Sequence, residues 1–297
     1  MAKRKVDGVL LLDKPEGITS NLALQKARRL FNADKAGHTG TLDPFATGLL
    51  ALCFGEATKF SQYLLDADKR YLAVARLGVR TSTADPEGEV IETRPVTTTE
   101  AEVRAILPRF VGSLDQLPPM HSALKRDGRP LYDYARQGIE VARQPRRVTV
   151  HGIEFIALAE DRLIFRVHCG KGLYVRTLAE DIGAALGCGA YLEALRRESV
   201  GPFDLADAVR LETLAADTET ERDAWLRPPD CLVEALPRID LDLESAWQMC
   251  HGQSVWQSGL RVDELFRLYD PCGRFLGVAE VDIEGKLAPK RLLATAP

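Results

Sequence analysis

The sequence predicts an α+β fold organised as two domains, and three observations carry that reading. At 297 residues, the chain is about twice the roughly 150 residues of a common domain. Its 45% hydrophobic and 28% charged residues are ordinary globular proportions, which exclude disordered, collagen-like and fibrous chains. Short apolar runs and capped helical segments are mixed without the regular strand–helix alternation of a parallel sheet.

Taken in order, residues 9–12 read as a short buried strand, stopped by Lys14-Pro15-Glu16-Gly17. Ser20 or Asn21 is placed to cap a helix to about Phe31, with Leu22, Ala23, Ala27 and Leu30 on one face. A loop over 32–45, rich in Gly and Thr, carries His38 and Asp43. An apolar run at 49–54 and a helix at 60–65 follow. Residues 71–79 read as a strand, with 89–93 as hairpin partner across Asp85-Pro86-Glu87-Gly88. Thr99-Glu100-Ala101-Glu102 is a capping box opening a helix to about Phe110. Residues 117–147 hold several prolines, a short helix near 131–136 and a dense basic patch; they read as an insertion. Strands at 148–158 and 163–168 lead to a helix at 174–186. A shorter helix at 190–197 follows Gly187-Cys188-Gly189. Leu236-Pro237 marks a boundary between residues 1–237 and 238–297, where 265–268 and 276–281 read as strands of a small, mostly β unit.

No apolar run approaches the roughly 18 residues of a membrane span. The basic N-terminus leads into only four apolar residues, too few for a signal-peptide core. The expected location is therefore cytoplasmic, away from membranes, with the six cysteines reduced and mostly packed as small core residues. The cysteines form no CxxC pair, the five histidines show no HExxH spacing, and there is no phosphate loop or dinucleotide fingerprint. The expectation is chemistry without metal or cofactor.

The net charge of −4 argues against a nucleic-acid binder until its distribution is considered. Residues 204–244 hold twelve acidic and four basic side chains, leaving the rest of the chain at +4. Lys26, Arg28, Arg29 and Lys35 crowd one stretch; between residues 121 and 150, seven bases face three acids. Such patches suit a phosphate backbone, and they suit solvated faces equally well.

Three clusters carry candidate chemistry. In Gly37-His38-Thr39-Gly40-Thr41-Leu42-Asp43-Pro44, glycines admit close backbone approach and Pro44 holds Asp43 extended; an ordinary Asp-Pro turn has the same sequence. Gly170-Lys171-Gly172-Leu173-Tyr174-Val175-Arg176 opens a helix where backbone N–H groups and Arg176 can meet an anion, either a phosphate or the Asp43 carboxylate. Asp68-Lys69-Arg70-Tyr71 sets an aromatic ring beside two cations, although most strand tyrosines simply pack.

Together these segments give the chain an identity that none gives alone. With Gly8-Val9-Leu10-Leu11-Leu12-Asp13-Lys14-Pro15, Gly55-Glu56-Ala57-Thr58-Lys59-Phe60, Ser122-Ala123-Leu124-Lys125 and Leu195-Arg196-Arg197, the sequence resembles the bacterial tRNA pseudouridine-55 synthase family from about residue 8 to 290. The resemblance implies a pseudouridine-synthase core, a mixed and largely antiparallel sheet with flanking helices, plus a small C-terminal PUA-type RNA-binding domain. It implies that a uridine in the T-arm of tRNA is isomerised without cofactor by a monomer needing no protein partner. Asp43 would be the catalytic carboxylate, Tyr71 would stack on the uracil, and Arg176 would pair with Asp43 and keep it ionised. His38 would hold the flipped RNA, and Tyr174 and Leu195 would line the uridine pocket. Lys14 and Lys59 match family lysines, with phosphate contact and structural pairing both open. A catalytically silent RNA-binding protein on the same fold is the competing expectation, as is a glycosidase, which normally needs two carboxylates flanking the bond. The C-terminal residues 238–297 carry seven bases against nine acids, leaving Lys286, Lys290 and Arg291 as their candidate RNA contacts.

Overall fold

The computed structural model describes residues 2–122 and 124–294. Ala123, within one of the family-like segments, lies outside the described residues, as do the outermost ends of the two expected domains. The architecture is α+β: a large mixed sheet with helices against it, and a five-stranded sheet formed by residues 238–292.

The large sheet runs Val209–Arg210, Gly8–Lys14, Thr47–Phe54, Ala190–Val200, Lys69–Leu77, Arg162–Cys169, Arg146–Ala159 and Gly112–Gln116. Ala36–His38, inside the expected loop, adds a short strand pairing with Thr47–Phe54. Neighbours are antiparallel except at the outer edge and at one internal seam. There Thr47–Phe54 and Ala190–Val200 run parallel through only two register pairs, Arg196 with Thr47 and Arg197 with Gly48. Gly48 adopts φ +100°, and a β-carbon there would lie 2.4 Å from the Arg197 carbonyl oxygen. Only glycine lets the two halves of the sheet meet.

The halves differ in burial, and their sequences show why. Strand Gly8–Lys14 is covered on both faces: Leu10 and Leu12 pack with Ala23, Leu24 and Ala27 of helix Ser20–Leu30, whereas Val9 and Leu11 pack with Phe60 and Leu64. It therefore reads as a continuous apolar run. Strand Lys69–Leu77 is covered on one face only. Tyr71, Ala73, Ala75 and Leu77 meet Leu178, Ala179 and Ile182 of helix Val175–Ala185, and the alternate residues are more exposed. Period-two sequence is the result.

Three expectations are corrected. The helix expected over 190–197 is the strand Ala190–Val200. Its Ala, Leu, Glu and Arg content favours helix, and its buried residues Ala190, Leu192, Leu195, Arg197 and Val200 are spaced two and three apart. Register shifts after Leu192 and Arg197 change the phase of the pleat, so an interrupted strand period imitates a helical one. The cap of the first helix is neither Ser20 nor Asn21: Thr19 accepts the Leu22 N–H, and Leu22 lies on the exposed side. The hairpin is also corrected: Lys69–Leu77 pairs with Arg162–Cys169 and Ala190–Val200 inside the large sheet, and the partner of Val90–Thr93 is the separate short strand Val79–Thr81. The Thr99–Glu102 capping box forms as expected.

The five-stranded sheet rests on the larger unit through Phe275, whose ring is 5.3 Å from that of Phe60, and through buried Val278. The Tyr269 hydroxyl donates to Asp230 at 2.7 Å. No helix among the described residues is long and apolar enough to cross a membrane.

Candidate active site

At the seam between the two half-sheets lies a cavity of about 440 Å³ whose lining includes His38, Asp43, Tyr71, Tyr174, Arg176 and Leu195. Six of the eight candidate site residues, drawn from four separate stretches of chain, thus converge on one space.

The loop bearing Asp43 is fixed from beneath. The buried Ser20 hydroxyl accepts the Leu42 N–H at 2.8 Å and donates to the Leu42 carbonyl at 3.0 Å. Lys14, with no exposed surface, donates to the carbonyls of Pro15, Ile18 and Pro44 at 2.9, 2.7 and 3.2 Å. Arg197, 1% exposed, donates to the carbonyls of Leu49 at 2.7 Å and Gly40 at 3.4 Å. Between these clasps the Asp43 side chain opens to the cavity, one third exposed.

Arg176 reaches this carboxylate with Nε 3.1 Å from Oδ2 and a terminal nitrogen 3.4 Å from Oδ1. Its other terminal nitrogen lies 2.9 Å from the buried carboxylate of Asp85 and donates to the Thr83 carbonyl; the His121 carbonyl accepts a further bond at 2.7 Å. One guanidinium therefore serves two carboxylates. Arg176 favours the ionised form of Asp43, while burial, the larger effect, raises its pKa above the ordinary carboxylate value. Tyr174 precedes the Arg176 helix, and buried Gln116 brackets it, accepting its N–H at 2.8 Å and donating to its carbonyl at 3.1 Å.

Tyr71 is 8% exposed and lies opposite Arg197 in the ladder. Burial raises its pKa, with Arg197 opposing; Arg70, next to it, is on the exposed side of the strand. The Tyr71 hydroxyl therefore stays protonated at neutral pH. His38 is kept neutral by burial and by Arg197, and its buried Nδ1 has no hydrogen-bond partner among the described residues. The Cys169 thiol, behind Lys69, is pushed up to about 12 by burial and is inert.

Lys14 and Lys59 lie outside this lining. Lys14 holds up the Asp43 loop, and burial pulls its pKa down to about 8. Lys59 bonds Glu56 at 2.7 Å and the Leu292 carbonyl at 2.9 Å, joining the two sheets. Both lysines are structurally engaged. Asp85, Gln116, Ser20 and Arg197 were missed as site residues. Asp85 has the sequence of a plain turn, and no local signal turns its carboxylate inward. Leu124 belongs to the lining as well, and it is shared with a second cavity of about 410 Å³ edged by Lys125, Arg126, Arg143 and Arg146. The basic insertion thus opens directly off the first cavity.

A mixed sheet split at a parallel seam thus presents a single cavity-lining aspartate, held by a buried arginine, with a tyrosine in the same lining. Residues 28–175 match the model of the TruB family pseudouridylate synthase N-terminal domain. Residues 176–234 match the tRNA pseudouridylate synthase B C-terminal domain, and 237–293 the C-terminal model of pseudouridine synthase II TruB. The chain belongs to the TruB family, enzymes that isomerise uridine to pseudouridine. It is 58% identical over 294 residues to the tRNA pseudouridine synthase B of Thiobacillus denitrificans, covering 99% of this chain and 98% of that one. It is 53% identical to the enzyme of the same name from Methylobacillus flagellatus, covering 99% and 97%. Among solved structures, the fold matches a chain of a Cbf5-Nop10-Gar1 complex with TM-score 0.73 and 25% identity, over 96% of this chain and 84% of that one.

Proposed function

We propose that this enzyme isomerises a uridine in the T-arm of tRNA, position 55, to pseudouridine, with Asp43 as its catalytic carboxylate. The observation that carries the reading is the arrangement of Asp43: a carboxylate open to a base-sized cavity, tied to a buried arginine, with an aromatic ring in the same lining. The names of the relatives supply tRNA, and the sequence resemblance supplies the T-arm.

The target base leaves its stack and enters the cavity. Asp43 acts at the sugar, attacking C1′ or taking the 2′ proton to give a glycal; both routes break N1–C1′ and require the ionised carboxylate. The freed uracil turns, C1′ bonds to C5, and the C5 proton is lost while N1 gains one, so the reaction conserves all atoms and needs no oxidant. Arg176 positions Asp43 and opposes the rise that burial imposes on it. Tyr71 stacks on the uracil, and its neutral hydroxyl positions the ring for the C5 step. Neutral His38, with a free ring nitrogen, holds the displaced RNA; Tyr174 and Leu195 wall the pocket. The exposed bases of residues 117–147 take phosphates, which position RNA without reading sequence, and the 238–297 unit adds a weaker grip as a PUA-type domain. The enzyme works as a monomer without cofactor.

Asp85 does not supply the second carboxylate of a glycosidase, because it lies behind Arg176 and is 2% exposed. The test is incubation with unmodified tRNA followed by pseudouridine-specific chemical sequencing. Signal at the T-arm uridine is expected; binding without any modification would establish the silent RNA-binder instead.

A further inference from the structure

A second cluster of chemistry-bearing side chains lies outside this reaction. Asp68 immediately precedes strand Lys69–Leu77, His168 sits near the end of Arg162–Cys169, and His151 lies in Arg146–Ala159. The sequence spacing hid them from a motif search, since adjacent strands and not adjacent residues bring them together. His151 is where the register shifts: Val150 pairs with Cys169 and Gly152 with His168, leaving His151 as the extra residue of a bulge. Bulges re-aim side chains, and this one sets the two imidazole rings 4.7 Å apart. His151 Nε2 lies 3.2 Å from one Asp68 oxygen and His168 Nε2 lies 3.7 Å from the other. One donor atom from each residue falls within 4.8 Å of the others.

Zinc bonds of about 2.0–2.2 Å at tetrahedral angles place donor atoms roughly 3.3–3.6 Å apart. The two histidine–aspartate contacts are near that spacing, and small rotations can bring the donor set, now within 4.8 Å, together, since each side chain is more than a third exposed. We propose that Asp68, His151 and His168 form a two-histidine, one-carboxylate site for one divalent transition ion of the zinc class. Its remaining coordination position is open to solvent. The imidazole donors choose this class over magnesium, which prefers oxygen ligands. The Arg70 charge opposes a cation, so bonding by the ring nitrogens must carry the affinity. The ion would sit at the rim of the active-site cavity, whose lining includes Lys69 and Gly170, the near neighbours of Asp68 and His168 in sequence.

The full-length enzyme, stripped with chelator, is titrated with ZnCl₂ by calorimetry and with CoCl₂ by visible absorption. One ion per chain is expected, with no competition from millimolar MgCl₂. His151→Gln and His168→Gln should each weaken Zn²⁺ binding at least tenfold. Cys272→Ser, which removes an exposed thiol, should leave binding unchanged. Unfolding midpoints of the metal-free variants report whether the fold is kept. Absence of saturable binding to the wild type, or binding that both histidine variants retain, would overturn the site and leave a plain His–Asp contact.

Discussion

The cavity and the C-terminal sheet both contain arginine or lysine paired with carboxylates, yet the pairs do opposite things. Arg176 is 4% exposed and shared between Asp43 and Asp85. In the C-terminal sheet, Lys286 pairs with Glu284 at 2.8 Å and Lys290 with Glu280 at 2.7 Å, all four side chains well exposed. Pairs in water contribute about 0–1 kcal/mol and rearrange freely. Breaking a buried pair by removing one partner costs about 3–5 kcal/mol, because a charge is left unpaired. The same residue types therefore build a rigid reaction geometry in one region and an adjustable, salt-sensitive surface in the other. Two of the three expected C-terminal RNA contacts are already neutralised locally, whereas exposed Arg291 has no ion pair among the described residues.

The comparison breaks hardest at Asp43. Asp43→Asn should lower single-turnover rate by roughly 10⁴-fold or more, the scale of removing a reacting carboxylate, with tRNA affinity within a few-fold. The folded pKa of Asp43 is raised, so its stability contribution is fully present below the unfolded pKa and is lost as pH rises through the folded one. At neutral pH the ionised group is a burden, and the Asn variant should melt at the same temperature or higher. Activity within tenfold of wild type would remove Asp43 from the mechanism.

Arg176→Lys keeps the charge but not the planar fork that spans two carboxylates. A rate loss of about 10²–10³-fold is expected, on the scale of one preorganised electrostatic contact, together with a lower melting temperature. A variant that is slow yet fully stable would mean that Asp85 does not depend on Arg176.

Tyr71→Phe should retain affinity, since the stacking surface remains, and lose roughly 100-fold in rate. The pH–rate profile sharpens this. An acid limb is expected above the ordinary aspartate range, where raised Asp43 protonates. An alkaline limb is expected near pH 8, where Lys14 loses the proton that supports the loop. A rate that instead climbs steadily toward pH 10 would make the Tyr71 phenolate the C5 base.

Smaller effects belong to the exposed charges. Replacing Arg126, Arg136 and Arg146 together by Ala should weaken binding about tenfold or more and reduce the salt slope by up to about 0.9 per lost phosphate contact, with the bound rate unchanged. Replacing Lys286, Lys290 and Arg291 should cost only a few-fold, most of it from Arg291. If the second triple variant bound more weakly than the first, the C-terminal unit would be the principal grip.

The sequence alone settled whatever depends on near neighbours in the chain. The buried run at 9–12, the Thr99 capping box, the turn at Asp85–Gly88 and the Asp43-Pro44 loop all follow from local sterics, capping and periodicity, and ordered motifs gave the family resemblance. Tertiary structure decided what depends on pairing across distance. It made 190–197 a strand against its helical composition, because ladder bonds to Lys69–Leu77 and burial of Leu192 and Arg197 outweigh propensities of a few tenths of a kcal/mol per residue. It turned Asp85 inward onto Arg176, ninety-one positions away, and let burial win over that arginine at Asp43. Hydrophobic period and turn chemistry are written in adjacent residues, whereas a buried charge takes its partners, and its proton, from whatever the fold brings beside it.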